Sequence, residues 1–410
     1  MATIKSVLLL GYGMQGKAVL QDLAKCDDVS RIEVIDTHPD FQRHLAGYPQ
    51  EKVNGRLLDV SDEESLSRRM RDVDVVVEAL PAVFSLPVGR LAVECGVSLV
   101  SSMYYLNPGE TDAGRIQLAR DQIGQIDGMA KAKRLSILTE FGLDPGLDLI
   151  LGAKAISELD KVEEVHMYGA GIPHPNARGN PLQYRFSWSI AGVMRAYRRP
   201  ARLISGGQVV NLGADRIFEQ ENCHILEIEQ AGAPLECFPN GDAVRYAELF
   251  GVRESIREMG RYTCRLPGHC AFWNTMVKCG FLDDRPLSIG GSSISPFQFT
   301  TELLGSQQQF QYGNDDLDMT LIRVDARGTR AGKRLQIIYQ LVDTRDPATG
   351  LTAMQRDVGF TLSRGAQLIL QGKLARTGVL TPLDVPYESV FPYLEKYNIR
   401  VSRMEFPYNS

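Results

Sequence analysis

The chain has 410 residues with 45 basic and 50 acidic side chains, a formal net charge of −5, and is long enough for two or three domains. Hydrophobic residues make up 44% and charged ones 23%, which excludes bulk disorder and fibrous repeats, and the acidic balance argues against a nucleic-acid partner. Only a short apolar run, Val7 to Leu10, precedes Gly11, and no stretch approaches the roughly 18 apolar residues of a membrane helix, so a cytoplasmic protein with no membrane partner is expected.

From Lys5 to Ser101, short aliphatic runs alternate with amphipathic stretches, the pattern of a parallel sheet wound with helices. Strands are predicted over 6–10, 31–35, 73–77 and 97–100, and helices over 16–25, over 63–71 and from Phe84 toward Cys95. A further strand, 135–138, runs into the punctuated segment Glu140-Phe-Gly-Leu-Asp-Pro-Gly146. Beyond about Leu147 the texture becomes β-rich, with pieces at 162–168, 223–229, 319–324 and 335–341, before a helical stretch over 353–372. The fold class expected is therefore α/β: a Rossmann doubly wound parallel sheet plus a second α+β substrate and dimerisation domain with a mixed sheet. The first domain spans 1–143 and is completed by about 353–410, and the second spans 144–352. The seven cysteines are scattered without a CxxC pair and there is no HExxH, so reduced thiols and no metal site are expected.

Gly11-Tyr12-Gly13-Met14-Gln15-Gly16 is a G-x-G-x-x-G directly after a strand and opening a helix. Gly11 permits a tight turn, Gly13 lets backbone approach a pyrophosphate, Gly16 lets the helix sit close to the sheet, and the helix N-terminus offers free N–H groups to the anion. Asp36, twenty residues past Gly16, stands where an acid accepts from the adenosine ribose hydroxyls and repels a 2′-phosphate, so NAD is expected over NADP. His38 and Arg43 are the nearest cationic groups. Leu80 and Pro81, after the run Val73 to Val77, are expected to border the cofactor.

The segment TEFGLDPGLD (139–148) resembles the E-x-G-L-D-P-G-x-D junction of the saccharopine dehydrogenase family, the saccharopine reductase and lysine 6-dehydrogenase group. Further matches follow in the family's order: YGAGIPHP (168–175), NPLQYRFSWSIAGV (180–193), FPNGD (238–242), LPGHC (266–270), LTAMQRDVGF (351–360) and GVLTP (378–382). Together with GYGMQG they span nearly the whole chain. The resemblance implies an NAD(P)-dependent oxidoreductase acting on a C–NH bond of a small amino-acid substrate, and a homodimer assembled through the second domain. It leaves open whether saccharopine is split to glutamate and aminoadipate semialdehyde, lysine is oxidised at C6, or an opine- or polyamine-type reduction occurs. A non-catalytic nucleotide sensor is the alternative in another class. The family commonly continues the junction as G-x-D-H-M, whereas this chain reads Leu147-Asp148-Leu149-Ile150, without the histidine.

Oxidising an amine by hydride transfer calls for a base, and a zwitterionic substrate for an arginine and a carboxylate. Asp144, at the mouth of the sheet, is the first candidate to contact the substrate amine, with a helix N-cap followed by Pro145 as its alternative. Tyr104 resembles a position near the substrate in the family, with Tyr105 adjacent. Glu140 is a candidate base or an exposed loop carboxylate. In the second domain Tyr184, Arg185, Ser187 and Trp188 combine a cation, a hydroxyl and aromatic surface in a short span, with Arg185 as the expected carboxylate clamp. His269 is a candidate proton relay.

Overall fold

The computed structural model describes residues 5–408; residues 1–4 and 409–410 of the expected domain ranges lie outside them. The chain divides into two compact units, Met1–Ile150 with Gln355–Asn398, and Leu151–Met354 with Ile399–Ser410.

The first unit opens with β1 (Ser6–Leu10), α1 (Met14–Leu23), β2 (Arg31–Asp36), α2 (Phe41–Leu45), β3 (Val53–Leu57), α3 (Glu63–Met70) and β4 (Val75–Glu78). It continues through α4 (Ser85–Cys95), β5 (Ser98–Ser101), α5 (Ala113–Lys133), β6 (Ser136–Leu138) and α6 (Leu147–Ser157), the last of which runs across the division between the units. Every residue of β1 and β4 is buried, as strands covered by helices on both faces must be. Helix α3 carries its own punctuation: Asp62 accepts from the Ser65 N–H at 3.1 Å, with acids in the first turn and arginines in the last. All strand pairs of this sheet are parallel. The order is β3-β2-β1-β4-β5-β6, closed by a seventh strand, Gly378–Leu380, from the far end of the sequence. Order reverses between β1 and β4, which is the ligand-binding switch point of doubly wound sheets. Helix α5 was not expected. Its three glycines and a buried contribution of only Ile126 and Ala130 leave almost no amphipathic period to detect.

The second unit contains β7 (Lys161–Pro173), α7 (Ile190–Ala196), β8 (Ala201–Ser205), β9 (Gln208–Leu212), β10 (His224–Leu226) and β11 (Leu235–Pro239). Then come α8 (Ala243–Leu249), β12 (Glu258–Arg265), α9 (His269–Lys278), the small hairpin β13 (Leu287–Ile289) and β14 (Ser292–Ile294), α10 (Pro296–Gly305), β15 (Asp318–Arg330) and β16 (Lys333–Thr344). The chain then runs through α11 (Ala353–Leu370), whose residues from Gln355 onward belong to the first unit, the first unit's β17 (Gly378–Leu380) and α12 (Tyr387–Leu394), and ends on β18 (Val401–Pro407). The large sheet runs β10-β11-β12-β7-β15-β16-β18, with β8 and β9 branching from β12. It is mixed as expected, since β12 and β7 are parallel and the other neighbours antiparallel. The β15–β16 hairpin turns on Ala331 and Gly332, both with positive φ (50° and 75°), the two-residue turn whose twist matches that of the strands.

Two expectations are corrected here. The range 353–410 does not complete the first domain as a whole, because β18 pairs with β16 of the second sheet over seven residue pairs. The cysteines are not all reduced thiols: Cys237 and Cys264 sit opposite each other on β11 and β12, their Cα atoms 4.1 Å apart, and are joined as a disulfide. The spacing of 27 residues gives no local signal for that pairing, which depends on strand register.

Candidate functional site

In the first unit the glycine loop follows β1, and its backbone is fixed by contacts that exclude side chains. Gly11 has φ +90°, and a Cβ there would stand 2.6 Å from the Ala79 carbonyl oxygen; one on Gly16 would stand 2.0 Å from the Gly11 carbonyl oxygen. Around Gly13, by contrast, a Cβ meets nothing within 4 Å. That open, exposed position at the start of α1 is the cradle a dinucleotide pyrophosphate requires, with the unbonded N–H groups of the first helical turn as donors. Tyr12 is buried, packed against Phe41 and His44 at ring separations of 6.0 and 6.2 Å. Burial, with Tyr48 nearby, pushes its phenol up to about 12, so the ring is a neutral wall. Met14 is exposed, and Gln15 accepts from the Ser102 hydroxyl at 3.0 Å, tying the loop to the end of β5.

Asp36 ends β2, and both of its oxygens serve the backbone: one accepts the Tyr12 N–H at 2.7 Å and the other the His38 N–H at 2.9 Å. The carboxylate thus braces the glycine loop. Leu80 is half-buried with Cδ2 against Gly11, and Pro81 is exposed after β4.

At the carboxyl ends of β5 and β6 the structure brings three of the predicted residues onto neighbouring backbone. Glu140 N–H donates to the Met103 carbonyl at 3.1 Å, beside half-buried Tyr104, and Phe141 N–H donates to Ser101 at 2.9 Å. Glu140 has φ +58° and is 2% exposed, so the alternative of an exposed loop carboxylate is overturned. Asp144 is half-buried, and α6 begins only at Leu147, with the Asp148 carboxylate accepting the Gly146 N–H at 2.8 Å. The alternative of Asp144 as a cap with proline in the first turn therefore does not hold. One buried acid escaped the sequence reading. Glu78, at the end of β4, is 0% exposed and accepts from Ser85 Oγ at 2.7 Å, while burial pushes its carboxyl up to about 7. Its only signal is a charge closing an otherwise apolar strand.

In the second unit Tyr184, Phe186 and Ser187 are buried and Trp188 half-buried, packed with α7 and α9. Arg185 is already occupied. It pairs with Asp316 at 2.8 Å and donates to the carbonyls of Ala177 and Gln311 at 3.1 and 2.7 Å. His269 opens α9 with Nε2 at 2.8 Å from the Tyr197 hydroxyl, and burial together with the adjacent Arg265 holds its imidazole well below the usual range. It is a neutral, packed histidine.

A buried cation with a spare donor beside Tyr184 is Arg265, whose Nη1 donates to the Cys264 carbonyl at 2.9 Å and which does not stand out in the sequence. It is 5% exposed, its guanidinium lies 4.9 Å from the Tyr184 ring, and Tyr197 and Tyr312 complete its surroundings. Its Nε has no partner, nor do the hydroxyls of Tyr184, Ser187 and Tyr312 or the indole nitrogen of Trp273. So many buried polar atoms without partners in one cluster is rare. A permanently charged guanidinium among them fits an anionic group of a ligand.

Family models match both parts of the chain: the saccharopine dehydrogenase NADP binding domain over residues 7–123 and the saccharopine dehydrogenase C-terminal domain over 142–400. The NADP(+)-dependent, L-glutamate-forming saccharopine dehydrogenase of Schizosaccharomyces pombe is 27% identical, across 93% of this chain and 94% of its own. Alpha-aminoadipic semialdehyde synthase of Arabidopsis thaliana is 26% identical across 84% of this chain and 38% of its own. The chain spans less than half the length of the semialdehyde synthases it matches. The apo structure of L-Glu-forming saccharopine dehydrogenase from Saccharomyces cerevisiae superposes with a TM-score of 0.80 at 22% identity, covering 98% of this chain and 100% of that one. The expectation of NAD is overturned, since the matching domain and the fission-yeast relative are both named for NADP. Physically, Asp36 spends its oxygens on loop amides, and an acid in that position does not by itself mark a ribose contact.

Proposed function

The chain belongs to the saccharopine dehydrogenase family, and from that premise we propose that it is an NADP-dependent dehydrogenase that cleaves the secondary amine of saccharopine to L-glutamate and aminoadipate semialdehyde. The first unit binds the dinucleotide on the glycine loop, with Gly13 and the α1 N-terminus at the pyrophosphate and Tyr12 walling the site. When bound, the oxidised nicotinamide accepts a hydride from the carbon bearing the amine. The carbon–nitrogen bond becomes an imine, and water then divides it into amine and aldehyde. Asp144 holds the substrate amine, and Tyr104 and Glu140 border the same sheet end. In the second unit Arg265, with the Tyr184 and Tyr312 hydroxyls as further donors, offers a buried site for a carboxylate, while Arg185 and His269 hold the surrounding framework.

The observation that carries this reading is Arg265, a buried guanidinium with an unpartnered Nε among unpartnered hydroxyls. The test is the appearance of reduced nicotinamide when the purified chain is given NADP+ with saccharopine, and with L-lysine as the competing donor. Turnover of saccharopine with NADP+ is expected. Turnover of lysine alone, or none while NADPH still binds, would overturn it. Asp144→Asn should lower kcat with NADPH affinity intact.

A further inference from the structure

The far end of α1 carries a second polar constellation, remote from the glycine loop by the length of that helix. Asp22 is 2% exposed, and its carboxylate accepts from Tyr393 Oη at 2.6 Å, from Gln367 Nε2 at 3.2 Å, and from the hydroxyls of Ser363 and Tyr397. Gln367 also donates to Tyr393 Oη at 2.7 Å. These side chains come from α11, α12 and the turn after α12, all within the first unit.

On the outer side of the same residues lies a cavity of about 480 Å³, to which Tyr393 and Gln367 both contribute. That volume suits a small metabolite. Three cations line it, and none of Arg364, Lys373 and Lys396 forms an ion pair among the described residues. Arg364 is the innermost. Its Nε donates to the Ser389 carbonyl at 2.7 Å and its guanidinium stacks 4.8 Å from the Tyr393 ring, with Lys396 Nζ 5.1 Å from that ring. Burial holds the Arg364 guanidinium below its usual range, against the opposing pull of the nearby Asp22 carboxylate. Such a group gains from an anion. The rim also holds three acids, Glu388 from α12 and Asp27 and Asp28 from the loop after α1, with Asp28 accepting from Gln371 Nε2 at 2.9 Å.

We propose that this cavity binds a small dicarboxylic amino acid, its two carboxylates on Arg364 and the two lysines and its ammonium at Asp27 and Asp28, and that occupancy weakens dinucleotide binding. The route is physical and short. The ligand's carboxylates draw on Tyr393 and Gln367, the two cavity residues that also donate to Asp22. A buried carboxylate that loses donors is destabilised, and Asp22 belongs to the helix whose first turn holds the pyrophosphate. The coupling rests on the dinucleotide reading of the glycine loop, but not on the identity of the substrate.

The test uses calorimetry on the full chain, with L-glutamate as probe, glutarate as the analogue without an ammonium, and inorganic phosphate as a bare anion. L-Glutamate should bind in the absence of any dinucleotide and weaken NADPH about fivefold, a typical coupling between sites. Lys373→Gln with Lys396→Gln, both on the exposed rim, should weaken L-glutamate about tenfold and abolish the effect on NADPH. Tyr393→Phe, which removes the shared hydroxyl but keeps the cations, should weaken L-glutamate only about threefold and lose the coupling. Unchanged L-glutamate affinity in the double lysine variant would mean that it binds elsewhere and would overturn the proposal. Equal affinity for glutarate or phosphate would overturn the amino-acid assignment. Failure of NADPH to bind at all would instead refute the dinucleotide reading, with the L-glutamate titration still reporting on the cavity.

Discussion

The glycine loop of the first unit and the Arg265 cluster of the second are opposite ways of building a binding site. The loop is made of consecutive residues, and its recognition is carried by backbone: glycine contacts that no Cβ survives, a helix start, and a carboxylate bonded to two amides. The Arg265 cluster draws on Tyr184, Arg265, Trp273 and Tyr312, side chains spread along the sequence that share a neighbourhood only after folding, several of them without partners. A backbone site is finished before its ligand arrives. A side-chain site of this kind keeps donors in reserve, and polar atoms without partners make folding bear a cost that ligand binding recovers.

Four substitutions break or sharpen that contrast. Arg265→Met should reduce kcat/KM for saccharopine about a thousandfold, the scale of removing one partner of a desolvated charge pair, with NADPH affinity unchanged by calorimetry. Arg265→Lys should recover part of the loss, which distinguishes a clamp from a packing residue. On the loop, Gly16→Ala should lower stability in chemical denaturation by about 3 kcal/mol and NADPH affinity with it. Gly13→Ala, with open space around it, should weaken NADPH while leaving the denaturation midpoint in place.

Glu78 provides a pH test of the first unit. Its carboxyl is raised by burial from 4.5 to about 7 in the folded chain, so the folded state binds the proton more tightly than the unfolded one. The stability linked to this proton is complete below pH 4.5 and is lost as pH rises through about 7, by about 3 kcal/mol at most. The difference between wild type and Glu78→Gln, followed by denaturation across that range, should show this decline and level off above it. Smallest of all, Arg185→Gln should cost about 1–2 kcal/mol of stability through its lost ion pair and carbonyl contacts, with kcat/KM within about threefold. A large kinetic loss there would move the clamp back from Arg265 to Arg185.

The same contrast explains what could be read in advance. The glycine spacing of 11–16, placed directly after an apolar strand and with Asp36 twenty residues beyond it, is a short-range pattern, so the loop and the parallel sheet were legible. The cofactor choice went wrong at Asp36 because residue type marked an acid there but not which donors its oxygens would meet. Arg185 stood out within a conspicuous aromatic run, yet Asp316 satisfies it from a distant loop. Arg265 looked like an ordinary strand residue, and only the absence of a carboxylate around it, a property of three-dimensional packing, distinguishes it. Cys237 and Cys264 were missed for the same reason, since their meeting is a matter of register between β11 and β12.

The seventh strand of the first sheet, β17, comes from residues 378–380, after the whole insertion Leu151–Met354 has been threaded through the second unit. During vectorial synthesis, about 240 residues must be polymerised before β6 acquires its second neighbour, a delay of roughly 10–50 s at ribosomal speeds. The nucleotide loop is thus among the first segments made, yet its unit is among the last to be closed. A nascent chain halted between residues 150 and 355 carries the complete fingerprint on a sheet in which β6, an inner strand of the finished sheet, is still an edge. Protection against premature strand capture therefore matters more for this half of the molecule than its position at the start of the sequence suggests.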